Sequence, residues 1–200
     1  MQQMATSLIK LLRSHPVARS RWLERNGISR VKVHRLVKQG DLIRLRRGIY
    51  SLPDESETTE HHDLAVVAMS IPRGVICLLS ALRFHGLGTQ NPAEVWVAIH
   101  GKARKPKIEY PPVKIVRFSG PALENGIETH QIEGVTVRVT SPARTVADCF
   151  KFRNKIGPDI ALEALREYRR ARKSLDDLVQ AAQEVRVANV IRPYLEALTT

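Results

Sequence analysis

Four side chains of this 200-residue sequence fall at the spacing that gathers them on one helix face: Val31, His34, Arg35 and Lys38, at i, i+3, i+4 and i+7. They offer two fixed positive charges, an imidazole and one apolar group. A helix lying in a DNA major groove needs that set, with donors for phosphates and guanine edges and an apolar contact for a thymine methyl. Arg30 and Lys32 flank the face. His34 reads nearly as well as a passive surface histidine as it does as a donor to a phosphate or base. The opposite face carries Val33, Leu36 and Val37, which can enter a core. Ser29 is a suitable N-cap for this helix and Gly40 a suitable stop.

The residues that follow alternate. Leu42, Arg44 and Arg46 fall on one side of a strand, and Ile43, Leu45 and Arg47 on the other. Arg46-Arg47-Gly48 then makes a turn, and Ile49 to Leu52 returns. A basic hairpin directly after a basic helix can grip the phosphates beside the groove, with Arg44, Arg46 and Arg47 as its cations. Charge alone would favour a merely solvated face. Charge, helix phase and hairpin together point to DNA.

The elements before the helix must hold it in place. Gln2 to Arg13 reads as a first helix ended by Pro16, and Val17 to Arg25 as a second, with Trp22 and Leu23 inward and Asn26-Gly27 as its end. Three helices and a hairpin make a winged helix-turn-helix. The charge distribution agrees. Residues 1–54 hold 12 Lys and Arg against 3 Asp and Glu, a net of +9, out of +12 for the whole chain. A dedicated nucleic-acid module concentrates its cations in this way.

Residues 54–63, Asp-Glu-Ser-Glu-Thr-Thr-Glu-His-His-Asp, are polar and acidic. They divide the chain into residues 1–54, a linker over 55–63, and residues 64–200. His61 and His62 are adjacent, so they point about 100° apart on a helix, and no Cys or second His pair stands at ligand spacing. No metal or other cofactor is expected. Helical signals cover Leu64 to Ser70 and Ser80 to Phe84, stopped at Gly86. Val75 to Leu79 fits a buried strand or the start of a helix. Strand signals cover Glu94 to His100, Val113 to Phe118, and a hairpin over Ile127–Glu133 and Val135–Thr140 turning at Gly134. The loop Gly101 to Lys107, with Lys102, Arg104, Lys105 and Lys107, reads best as a solvated loop. Ser141-Pro142 starts a helix, with Ser as cap and Pro at the first position. In that helix Ala143, Val146, Cys149 and Phe150 face a core, while Arg144, Asp148 and Lys151 lie outward. Arg144 and Asp148 are four residues apart, and as an exposed ion pair they would contribute under about 1 kcal/mol. Gly157-Pro158 breaks the chain, and Asp159–Arg172, Leu175–Glu184 and Val187–Leu198 are helical. The fold class is therefore α+β: an N-terminal winged helix-turn-helix, then an α+β domain with a mainly antiparallel sheet (64–140) and a helical end (141–200).

Cys77 and Cys149 both lie in apolar surroundings, with no C-x-x-C pair and no extracellular framework. Reduced thiols in a cytoplasmic protein are expected, with a long-range disulfide left open. Val75 to Leu82 is too short to span a bilayer, and Met1 to Lys10 lacks a signal-peptide layout. A metal-dependent nuclease of the restriction type uses an Asp/Glu-x-Lys, and the sequence has none. It also lacks a phosphate-loop Gly-x-x-x-x-Gly-Lys-Ser/Thr and a Gly-x-Ser-x-Gly. These absences argue against an enzyme. Ser80 reads as a helix cap rather than a nucleophile, since no motif places a base beside it.

Three phrases carry a resemblance. Arg47-Gly48-Ile49-Tyr50, Ser80-Ala81-Leu82-Arg83-Phe84-His85-Gly86-Leu87 and Thr140-Ser141-Pro142-Ala143-Arg144-Thr145-Val146-Ala147-Asp148, in this order and spacing, resemble AbiEi-type antitoxins of bacterial abortive-infection, type IV toxin–antitoxin systems. The resemblance implies an N-terminal winged helix that represses its own operon at inverted repeats. It also implies a C-terminal domain that counteracts a nucleotidyltransferase-like toxin without a stable complex. Some members with a similar N-terminal half carry a nuclease-like C-terminus instead. Ser80, Arg144 and Asp148 become the candidate antitoxin residues because they stand in these phrases. The resulting expectation is a DNA-binding antitoxin and autorepressor. Two other readings stand beside it: a transcriptional regulator without a toxin partner, and a nucleic-acid-processing enzyme.

Overall fold

The structure is a computed structural model that describes Leu12 and residues 16–53 and 59–197. The expected helix over Gln2–Arg13 lies outside the described residues, except for Leu12, which is helical and buried. The chain forms two compact units. One comprises residues up to Pro72 with Pro106–Val113 and His130–Val137; the other comprises Arg73–Lys105, Lys114–Thr129 and the remainder. The fold is α+β.

The first unit opens with β1 (Val17–Arg19), followed at once by α1 (Ser20–Arg25) and, after a tight turn, α2 (Arg30–Gln39). The hairpin of β2 (Ile43–Arg46) and β3 (Ile49–Ser51) comes next. Val17 to Arg19 is a strand and not the start of the second helix. β1 pairs antiparallel with β3, Val17 opposite Ser51 and Arg19 opposite Ile49, in a three-stranded sheet of order β1-β3-β2. Helix propensity at these residues loses to backbone pairing with a segment some thirty residues away, a tertiary effect with no local signal.

Helix α2 has the ends expected of it. Ser29 Oγ accepts from the Lys32 N–H at 3.3 Å. At the other end Gly40 is left-handed (φ 80°), which an L side chain resists, and the Asp41 N–H reaches the Leu36 carbonyl at 3.0 Å. Val33 and Leu36 are buried with Leu23, Ile28 and Leu42 in one apolar cluster, and Trp22, Val37 and Tyr50 pack at its edge. Each buried aliphatic side chain contributes roughly 1.5–3 kcal/mol, so this cluster fixes the rotation of α2. The first unit also contains α3 (His62–Ser70).

The remaining elements are β4 (Val75–Ile76), α4 (Leu78–His85), β5 (Val95–His100), β6 (Val113–Phe118), β7 (Ile127–Ile132) and β8 (Val135–Thr140). Five helices follow: α5 (Pro142–Lys151), α6 (Arg153–Ile156), α7 (Pro158–Arg170), α8 (Leu175–Glu184) and α9 (Ala188–Ala197). The apolar run from Val75 is thus both strand and helix, divided at Cys77. The second sheet has the order β6-β5-β4-β8-β7. β4 runs antiparallel to β5 and parallel to β8, Ile76 opposite Val139. Helix α5 begins as its sequence indicates, with Ser141 Oγ accepting from the Arg144 N–H at 3.3 Å and Pro142 in the first turn. It packs against α4, α7 and α8, and every residue from Ala143 to Phe150 is buried. Cys77 and Cys149 are free buried thiols, and burial raises both pKa values. Among the described residues no helix is long and apolar enough to cross a membrane.

Candidate nucleic-acid interface

Because the core fixes α2, its outer face is fixed too. Val31, His34, Arg35 and Lys38 are exposed, and Val31 is 73% exposed. An isolated valine so open to water on a helix with a formed apolar face has no part in the core. Arg30 is also exposed and pairs with Glu24; Lys32 is half-buried.

The hairpin is less regular than its alternation suggests. Ile43 stands opposite Ser51 and Arg44 opposite Tyr50, but Arg46 stands opposite Ile49. The register shifts between Arg44 and Arg46, so a bulge falls at Leu45. A bulge turns the side chains that follow to new directions. Arg44 and Arg47 are exposed and Arg46 is half-buried. Gly48 (φ 80°) makes the turn, and its carbonyl accepts from the Ser20 N–H at 3.0 Å, tying the hairpin to the start of α1.

Helix and hairpin enclose a groove of about 520 Å³, whose walls include Arg21, Arg30, His34, Arg44, Arg47 and Tyr50. The arginines come from α1, α2 and the hairpin; Arg30 pairs with Glu24, and Arg21, Arg44 and Arg47 leave a positive lining that suits an anion such as a phosphate. Arg21 and Tyr50 are not among the DNA-binding candidates read from the sequence, although Tyr50 stands in one of the phrases that carry the resemblance. Their place in the groove depends on the register that sets Tyr50 opposite Arg44.

The other candidates lie deep in the second unit. Arg144 and Asp148 do not face outward: Arg144 is 1% exposed and Asp148 fully buried. Eight residues of helical periodicity reveal which stripe is apolar, but not that α4, α7 and α8 cover the other stripe as well. Arg144 Nε donates to Asp148 Oδ2 at 3.0 Å, Nη1 to the Asn125 carbonyl at 2.9 Å and Nη2 to the Ala122 carbonyl at 3.2 Å. Its guanidinium also lies over the Phe118 ring, 5.4 Å from the centroid. Burial pushes the Asp148 carboxyl up to about 6, and the attraction of Arg144 offsets only part of that.

Ser80 is not a cap. Cys77 holds the N-cap position of α4, and Ser80 Oγ accepts from the Trp96 N–H at 2.9 Å, fastening α4 to β5. His85, in the same phrase, donates Nε2–H to the Thr140 carbonyl at 2.7 Å. Thr140 in turn bonds to Thr145 through both its carbonyl and its hydroxyl. The two phrases are thus joined in space.

His62 Nδ1 lies 2.8 Å from Glu133 Oε2, while the Thr59 N–H and hydroxyl donate to Glu133 Oε1 at 2.8 and 3.0 Å. Burial alone would raise the Glu133 carboxyl, but the hydrogen bonds from His62 and Thr59 outweigh it and hold the pKa below the ordinary value. Among the described residues no group of three His, Cys, Asp or Glu is placed to hold a metal ion.

The first unit therefore presents a basic helix beside a basic hairpin, the class of module that transcriptional regulators carry. Residues 7–53 match the family model described as "Transcriptional regulator, AbiEi antitoxin", so this stretch of the chain is similar to that family. The match spans α1, α2, the hairpin and the residues that line the groove. A comparison with curated proteins found no match.

Proposed function

We propose that this protein is a DNA-binding antitoxin of a type IV toxin–antitoxin system, cytoplasmic, that represses its own operon at inverted repeats and counteracts a nucleotidyltransferase-like toxin without a stable complex. The exposed face of α2, with Val31 bare between cations and the arginine hairpin alongside, supports this reading most directly. In it, residues 1–54 act as the DNA-binding module, α2 enters the major groove, and Arg44, Arg46 and Arg47 neutralise flanking phosphates. Residues 64–200 supply the antitoxin function and carry no catalytic centre. Ser80, Arg144 and Asp148 serve that function by holding α4 and α5 in shape, since Ser80 Oγ accepts from the Trp96 N–H and Arg144 Nε donates to Asp148 Oδ2 inside the protein.

The test uses the full chain and the DNA upstream of its own gene. Protection of two symmetric half-sites, lost with Arg35→Ala, is the expected result. Uniform binding to any duplex would remove the operator from the reading. Co-expression with the toxin encoded beside it should restore growth; if it does not, the antitoxin role is wrong while the DNA-binding role stands.

The family match ends at residue 53, and this favours one second reading, a transcriptional regulator without a toxin partner. The neighbouring reading frame separates the two. A nucleotidyltransferase-like product supports the first, and its absence supports the second.

A further inference from the structure

The second unit holds a cavity of about 460 Å³ that the DNA-binding reading does not use. Its walls bring together residues from three separate stretches of the chain. Arg117 comes from β6, Arg144 and Lys151 from α5, and Arg186 from the turn after α8; Glu184 is the one carboxylate among the lining residues. Asp148 balances Arg144 from behind, at 3.0 Å. The wall therefore keeps a net positive charge of two, from Arg117, Lys151 and Arg186 against Glu184. Arg117 is pinned, its Nη1 donating to the carbonyls of Gly101 at 2.6 Å and Ala103 at 2.9 Å. Lys151 and Arg186 are exposed and able to meet a ligand.

The same cavity has an aromatic wall. Phe118 and Phe152 line it and stack with centroids 6.0 Å apart and planes 22° apart. A flat apolar surface next to fixed cations accepts a ligand that carries both a ring and an anionic group. The volume is in the range of small-molecule sites, and too small for a duplex.

We propose that this cavity binds a nucleotide, with its phosphates on Lys151 and Arg186 and its base against the Phe152 side of the stacked pair. The phosphates supply the missing negative charge through charge-assisted hydrogen bonds. The base covers phenyl surface that water would otherwise wet.

The experiment is equilibrium dialysis of the full-length protein with ATP, GTP and UTP, and in parallel with adenosine and inorganic triphosphate. At least one nucleotide should saturate, and adenosine or triphosphate should bind about tenfold or more weakly than it, since each lacks half of the contacts. Lys151→Ala and Arg186→Ala should each weaken nucleotide binding about tenfold, and Lys151→Arg should retain it. Phe152→Ala should weaken the nucleotide and leave triphosphate binding unchanged. Arg35→Ala with Arg47→Ala should change neither, which separates the cavity from the basic first unit. Thermal melting of each exposed-residue variant should match the parent, so that a loss of binding is not a loss of fold. The proposal is overturned if no nucleotide saturates, if triphosphate binds as tightly as the nucleotides, or if only the Arg35/Arg47 variant loses binding.

Discussion

Arg144 and Asp148 form a buried ion pair, 3.0 Å between Nε and Oδ2, within a helix buried from Ala143 to Phe150. Such a pair stabilises little relative to an apolar filling, because both ions gave up their water. Breaking it is another matter, since one charge is then left unpaired in the core. Arg144→Ala or Asp148→Ala should destabilise the protein by about 3–5 kcal/mol, measured by urea unfolding. A loss under about 1 kcal/mol would mean that the pair is exposed in solution.

The same pair gives a pH signature. Burial raises the Asp148 carboxyl from 3.8 to about 6 in the folded state. A raised folded pKa means that the native state binds the proton more tightly than the unfolded chain does. The resulting stabilisation is fully present below the unfolded pKa and is lost as pH rises through about 6. The stability difference between the parent and Asp148→Asn should therefore shift across this window, toward the parent at acidic pH. A difference that stays flat from acid to neutral would contradict the raised pKa.

Glu133 behaves in the opposite sense. His62 and Thr59 hold its carboxylate against the pull of burial, so its pKa falls below 4.5. Its contribution is present above that value and is lost as pH falls through the depressed pKa. Glu133→Gln should remove about 1–3 kcal/mol at neutral pH and speed hydrogen exchange at the Thr59 amide. Unchanged exchange there would show that the Thr59–Glu133 bond does not form.

Gly126 tests the packing above the Arg144 stem. Its φ is +61°, and a Cβ placed on it would lie 2.9 Å from Arg144 Cβ. Gly126→Ala therefore meets both a strained backbone and a filled space, and should destabilise by about 2–4 kcal/mol. Chemical denaturation reads this directly; a neutral result would mean that the 125–126 turn stands away from α5.

On DNA, helix and hairpin should differ in kind. Arg35→Ala should weaken operator binding by about 1–3 kcal/mol and relax the preference at one base pair. Arg44→Ala and Arg47→Ala should weaken operator and scrambled duplex alike, lowering the log–log salt slope by about one unit per phosphate contact. Arg46, half-buried after the bulge, should change the slope less than its neighbours. Titrations of both duplexes at several salt concentrations give all these numbers. A change in base preference from Arg44→Ala would assign reading to the hairpin instead.

The sequence by itself determined the phase of α2, its two ends, the concentration of charge in the first quarter and the order of most later elements. These are local properties. A helix period, a capping serine, a left-handed glycine and a strand alternation each depend on a few neighbouring residues. Tertiary structure alone decided that Val17–Arg19 is a strand, because its partner β3 lies some thirty residues on. It decided the bulge at Leu45, which depends on how β2 meets β3. It also decided that Arg144 and Asp148 are buried, because the helices covering α5 come from both sides of it in the chain. The cavity of Arg117, Lys151 and Arg186 belongs to the same class. No spacing links residues that meet only after the sheet and the C-terminal helices have packed.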